Sequence, residues 1–195
     1  MKKKITIMIL LFGLFSCTQK LYVKEDYSFY DKNFTFPETS SLKTNGVYVL
    51  ESIWTNENGG TERKPNEREH MFYKFYETGQ VNLTVDLDNT IKTEHDYIEK
   101  INQDFIQYKK GEKHTLFEGY YKLKEDKIVI QRKVVPRKQY NYRYGYVQDD
   151  KLIIVTSTHL GKGEFDEKYF TDFYKETYRF KPFSTAKLES QKPYW

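Results

Sequence analysis

The period of the second half constrains this chain most. From His114 onward, bulky residues recur at alternate positions in short runs separated by turns. Phe117, Gly119, Tyr121 and Leu123 form one run, Lys124-Glu125-Asp126-Lys127 a turn, and Ile128, Val129 and Ile130 open the next run. Tyr140, Tyr142, Tyr144 and Tyr146 then alternate with Asn141, Arg143, Gly145 and Val147. A turn at Gln148-Asp149-Asp150-Lys151 leads into Leu152-Ile153-Ile154-Val155, and Phe173 to Phe180 ends the series. Successive side chains of a strand point to opposite faces, so the four tyrosines share one face. The other face is mostly polar, so the tyrosines are expected toward the core or a cavity and Arg143 toward water.

The first half agrees. Gly46 opens a strand through Val47, Val49 and Trp54, and Thr55 to Glu67, with Asn58-Gly59-Gly60 and Pro65, reads as an exposed loop. Met71 to Tyr76 and Val81 to Val85 flank the turn residues Glu77-Thr78-Gly79-Gln80 and predict a hairpin. One segment changes period: Tyr97, Ile98, Ile101, Phe105 and Ile106 recur at helical spacing, with Thr93 placed to cap the start and Gly111 to end it. With 18 Tyr, 14 Phe and little Ala, the composition also leans toward strands. The expected fold is mainly β: an antiparallel meander closed into a barrel or packed as a sandwich, with one inserted helix near 93–109. The Gly-aromatic strand, acidic turn and aliphatic strand of Gly119 to Ile130 resemble small lipocalin-like domains of envelope lipoproteins. That resemblance implies a barrel and a small apolar ligand.

The opening of the chain has a different character. Met1-Lys2-Lys3-Lys4 precedes Ile5 to Phe15, an apolar run of eleven residues. That is short for a membrane span, which takes about 20 residues, and suits the core of a secretion signal. Leu14-Phe15-Ser16-Cys17 resembles the lipobox of bacterial lipoproteins. The resemblance implies lipid on the Cys17 thiol, cleavage before it and a membrane-anchored product. Thr18, where some lipoproteins carry an inner-membrane Asp, implies the outer membrane in a two-membrane cell. Cys17 is the only cysteine, so lipid there leaves no thiol for a disulfide, a metal or a nucleophile. The expected organisation is a signal at 1–16, a lipidated tether at 17–45, a β-rich domain at 46–183 and a polar tail at 184–195.

Without the signal, Lys2, Lys3 and Lys4 leave the count of 32 Lys and Arg, so 29 face 28 Asp and Glu. Charges of both signs are interspersed, whereas a sequence-independent nucleic-acid site needs a concentrated positive field. Nucleic acid is therefore not an expected partner.

Chemical motifs are few. Asp86-Leu87-Asp88-Asn89-Thr90 resembles the first motif of haloacid-dehalogenase-type phosphatases, which implies Asp86 as nucleophile and Asp88 as proton carrier with Mg²⁺. In that family the motif ends a buried parallel strand, whereas Asn82 and Thr84 make the preceding run alternate. A calcium loop fails too, with Ile91 in place of the required glycine and Tyr97 in place of the bidentate glutamate. His70, His95, His114 and His159 show no paired ligand spacing, and Gly161-Lys162-Gly163 lacks the pattern of a phosphate loop. The residues thus predict no catalytic site, metal or cofactor. Tyr140, Tyr142, Tyr144 and Tyr146 remain as a candidate surface for an apolar, sugar or peptide ligand, or as half-buried strand residues. The function expected is a non-enzymatic binding or envelope-accessory lipoprotein. The alternatives are a lipocalin-like carrier and a phosphatase-like enzyme using Asp86 and Asp88.

Overall fold

Nine strands form in the computed structural model, which describes residues 24–109, 116–134, 139–171, 173–184 and 193. The strands are β1 (Gly46–Thr55), β2 (Thr61–Arg63), β3 (Met71–Phe75), β4 (Gln80–Val85), β5 (Leu116–Lys124), β6 (Lys127–Val134), β7 (Gln139–Gln148), β8 (Lys151–Thr158) and β9 (Tyr174–Pro182). Every pairing is antiparallel. β3 to β9 follow one another as a meander, and β1 pairs with both β3 and β9, so eight strands close into a barrel. Of the two arrangements left open by the sequence, the barrel is the one formed. β2 hangs outside it, pairing Thr61–Arg63 with Ile53–Thr55 in what the sequence marks only as loop. Its three residues are polar and exposed, so they carry no alternation to detect.

Closure leaves one face of every strand inside. One residue from each strand shows this face: Tyr48, Tyr73, Leu83, Tyr121, Ile130, Val147, Ile154 and Tyr178 are each at most 3% exposed and belong to one cluster. Bulges at Glu51 on β1 and at Val155 on β8, the latter opposite Tyr144 and Gly145 of β7, bend the sheet. At the second bulge the strands approach so closely that a Cβ on Gly145 would run into the Ile153 carbonyl oxygen.

The interior face of β7 is the one carrying Arg143, Gly145 and Val147, whose register partners include Ile130, Ile128 and Leu152. The expected orientation of this strand is therefore reversed. The tyrosines lie on the outside of the barrel and Arg143 points inward. The period of two holds, but it does not say which face is concave. The outer face is buried as well, because other parts of the chain cover it.

Those parts form a second cluster. Helix α1 (Glu94–Lys109) connects β4 to β5. Thr93 caps it, accepting from the Asp96 amide at 3.3 Å while Asp96 Oδ2 accepts from the Thr93 amide at 2.7 Å. Tyr97, Ile98 and Ile101 pack down onto Phe72 and Phe183, with Tyr97 edge-on to Phe72 at 4.9 Å. Residues 24–45, in the stretch expected to be tether, are laid along the barrel. Tyr27 and Phe29 are buried against Tyr120 and Tyr142, and Phe34, Phe36 and Leu42 pack on the inner cluster.

The barrel thus has two unlike ends. At the hairpin end lie the turns after β3, β5 and β7, with Phe34 against Gly79 and Tyr121. At the loop end β4 leaves toward α1, β8 leaves into the loop before β9, and Asp26 accepts a hydrogen bond from Tyr140 at the start of β7.

Candidate functional site

The strongest polar constellation lies inside the barrel, where a β-strand period alone would put apolar residues. Arg143 of β7 reaches Glu176 of β9 across β8, donating from Nη1 to Oε2 at 2.7 Å and from Nη2 to Oε1 at 3.4 Å. Nη1 also donates to the Tyr73 hydroxyl at 2.8 Å. Tyr174 and Tyr178 each donate their hydroxyl to Glu176 at 2.6 Å. Two guanidinium contacts and two hydroxyls match the roughly four lone-pair sites of a carboxylate. Burial pushes the Glu176 carboxyl up, but the Arg143 charge and the tyrosine donors outweigh it and hold it below the usual glutamate range. Burial pushes the Tyr178 hydroxyl far up, so it stays a proton donor to Glu176. Arg132 faces the same interior, with burial and the neighbouring Arg143 charge both drawing its pKa down.

Arg143 and Glu176 form a buried, hydrogen-bonded ion pair beside the further charge of Arg132, and the pair braces β7 against β9. Glu176 has no lone pair left to take a proton from a substrate. Arg143 Nη1 is shared among three oxygens. The aromatic rings of Tyr73 and Tyr178, 5.0 Å apart, close over the pair. Sequence reasoning missed it because its members are 33 and 70 residues from Arg143 in the chain. The available signal was Glu176, a charged residue at an inward position between Tyr174 and Tyr178.

A second constellation joins Asp86 to His70. Asp86 follows β4 and is buried. Its Oδ2 accepts from the Ile91 amide at 2.9 Å and lies 2.9 Å from His70 Nδ1, while Oδ1 accepts from Thr90 at 3.2 Å. Nδ1 faces the carboxylate and donates to it, and Nε2 lies 3.2 Å from the Tyr97 hydroxyl. Burial pushes the Asp86 carboxyl up, but donation from Ile91, His70 and Thr90 brings it below the usual aspartate range. Burial and the charges of Asp86 and Asp96 push the Tyr97 hydroxyl up to about 12. Lys181 of β9 donates to the same hydroxyl at 3.5 Å. The chain Lys181–Tyr97–His70–Asp86 thus clamps α1 to three parts of the barrel.

An Asp–His pair orients the imidazole of many hydrolases, but here Nε2 is occupied by a phenol held at high pKa. Asp88, the other member of the phosphatase-like motif, is exposed, while Asp86 is taken up by its three donors. β4 is antiparallel to both neighbours, unlike the parallel strand that motif requires. Among the described residues, no group of three or more His, Cys, Asp or Glu could hold a metal ion.

The tyrosine row is engaged from outside. Tyr140 lies 5.3 Å from the Tyr27 ring and donates to the Asp26 carbonyl at 2.6 Å. Tyr142 packs on Phe29 and accepts from Gln131 Nε2 at 3.0 Å. Tyr144 stacks on Tyr169 at 4.5 Å and accepts from the Gly163 amide at 3.3 Å. Tyr146 lies 5.4 Å from Phe170. The row is a landing strip for two segments of the same chain, 24–30 and 161–170. Cys17 lies outside the described residues. No family model, no curated protein and no solved structure matches this chain.

Proposed function

We propose that this chain is a bacterial lipoprotein, held by lipid on Cys17 and acting as a non-enzymatic binding or accessory module of the cell envelope. The observation that carries the proposal is the order of the first residues: Lys2 to Lys4, the apolar run Ile5 to Phe15, then Leu14-Phe15-Ser16-Cys17, with no other cysteine in the chain. Thr18 favours the outer membrane over the inner one.

The barrel supports a module without chemistry of its own. Two of its polar pairs, Arg143–Glu176 and His70–Asp86, are hydrogen-bonded within the fold. The second reading, a lipocalin-like carrier, needs room inside. Tyr48, Tyr73, Phe75, Tyr121 and Tyr178 occupy that space with at most 1% exposure each, which favours the accessory module. A depression of about 180 Å³ lies instead at the hairpin end, between Pro37–Ser41 and Leu123–Asp126.

Replacing Cys17 by serine in the producing cell tests the proposal. The wild-type chain should fractionate with membranes and the variant should accumulate as an uncleaved precursor. Identical size and fractionation of the two would sink it. Solvent extraction of the purified wild-type chain separates the two readings, since a carrier releases a stoichiometric apolar ligand and an accessory module does not. Hydrolysis of a phosphate ester that needs Mg²⁺ and is lost in Asp86→Asn would revive the phosphatase alternative.

A further inference from the structure

Three large apolar side chains are exposed among the described residues: Leu87 at 58%, Leu160 at 88% and Phe173 at 69%. All three stand at one end of the barrel. Leu87 follows the last residue of β4 by two positions, Leu160 follows the last residue of β8 by two, and Phe173 immediately precedes β9. The Phe173 carbonyl accepts from the Asn56 amide at 3.1 Å, which keeps Phe173 beside the end of β1. β4 and β8 are four strands apart in the closed sheet of eight, so Leu87 rises on one side of the rim and Leu160 and Phe173 on the other. Single exposed apolar residues are ordinary on a protein surface. What is not ordinary is that the three share one end while the hairpin end has none among the described residues.

The start of the described chain lies at that same end. Asp26 receives the Tyr140 hydroxyl, and Tyr27 donates to Glu118 at 3.5 Å near the start of β5. From there the segment runs down the barrel, through Phe29 against Tyr142, to Phe34 at the hairpin end. Cys17 precedes Lys24 by seven residues, a reach of at most about 25 Å fully extended. A lipid on Cys17 therefore holds the loop end, and not the hairpin end, close to the bilayer. A tether this short keeps the effective concentration of the rim at the surface high, so even a weak apolar contact is populated.

We propose that the loop end of the barrel docks on the membrane surface, with Leu87, Leu160 and Phe173 entering the interfacial layer of the lipid. The proposal rests on the lipid-tether reading and adds an orientation to it. The hairpin end, with its turns at Glu77-Thr78-Gly79, Glu125-Asp126 and Asp149-Asp150, then faces away from the membrane as the surface open to partners.

The test uses the full chain, purified from membranes and reconstituted into phosphatidylcholine vesicles with brominated acyl chains. A fluorophore is attached at Asp88→Cys or His159→Cys on the rim, or at Asp149→Cys on the hairpin end, each exposed and each leaving the apolar residues intact. Emission should be quenched at 88 and 159 and unchanged at 149, and Leu160→Glu with Phe173→Glu should remove the quenching at 159. Vesicle-bound protein with no quenching at 88 and 159, or with equal quenching at all three positions, overturns the docking while the tether stands. Protein that fails to float with the vesicles, and whose Cys17 accepts the fluorophore in the wild-type chain, overturns the tether and the docking with it.

Discussion

Arg143 and Glu176 meet inside the barrel at 2.7 Å, from strands that are not neighbours, with β8 between them. The pair ties β7 to β9, and the Tyr73 hydroxyl extends the tie to β3 on another part of the wall. A buried pair of this kind contributes little beyond an apolar equivalent, yet breaking it is expensive because one charge stays buried without its counter-charge.

Arg143→Ala is therefore expected to destabilise the fold by about 3–5 kcal/mol. A change at an exposed position of the same strand, Gln139→Ala, should stay within about 0.5 kcal/mol. Urea denaturation of the two variants measures this. An Arg143→Ala loss as small as that of Gln139→Ala would mean that the β7 faces are assigned the wrong way round.

Acid should act through Glu176. Its carboxyl titrates lower in the fold than in the unfolded chain, where a glutamate titrates near about 4.3. The stability it contributes is complete above that unfolded value and is lost as pH falls through the lower, folded one. Stability measured from pH 6 downward should fall in that window, and more shallowly in Glu176→Gln. Parallel acid profiles of wild type and variant would contradict the assignment.

Tyr144 is predicted to hold the 161–170 loop rather than fill the barrel. Tyr144→Phe keeps the ring on Tyr169 and loses the bond from the Gly163 amide, costing about 1 kcal/mol. Tyr144→Ala removes the platform as well and should cost about 3–5 kcal/mol. Hydrogen exchange at the Gly163 amide should rise in both variants. Unchanged exchange in Tyr144→Phe would place that bond elsewhere.

The sequence marks eight of the nine strands, by alternation as in Tyr140–Tyr146 or by aliphatic runs as in Ile128–Ile130 and Leu152–Val155, because these side chains need a buried face whatever the topology. The helix was legible from Tyr97, Ile98 and Ile101, with Thr93 at its start. What alternation cannot give is the sense of curvature. The Tyr140–Tyr146 face looked like the core because its partners at Tyr27, Phe29, Tyr169 and Phe170 lie in segments without a period. The polar groups were illegible for a related reason. His70 and Asp86 are joined by strand pairing across 16 residues, and Arg143 and Glu176 by the packing of β7 and β9 across β8, 33 residues apart. Neither separation is a motif.

Asp86 is expected to matter for the clamp on α1. Asp86→Ala leaves the buried Ile91 amide without its acceptor and should cost about 1–3 kcal/mol, whereas Asp86→Asn keeps one acceptor oxygen and should cost less. Helix protection in hydrogen exchange should fall at Tyr97 and Ile98 before it falls in β6 and β7. Loss spread evenly over the chain would mean that Asp86 serves the whole fold and not the helix attachment.

The proposed working form of this barrel begins at a lipid-bearing Cys17. Intact-mass spectrometry of the chain extracted from the membranes of the producing cell measures this directly. The expected species is a polypeptide starting at Cys17 whose mass exceeds that of residues 17–195 by a diacylglyceryl group, with or without a further acyl chain. An unmodified Cys17, in a cleaved or an uncleaved chain, would contradict it.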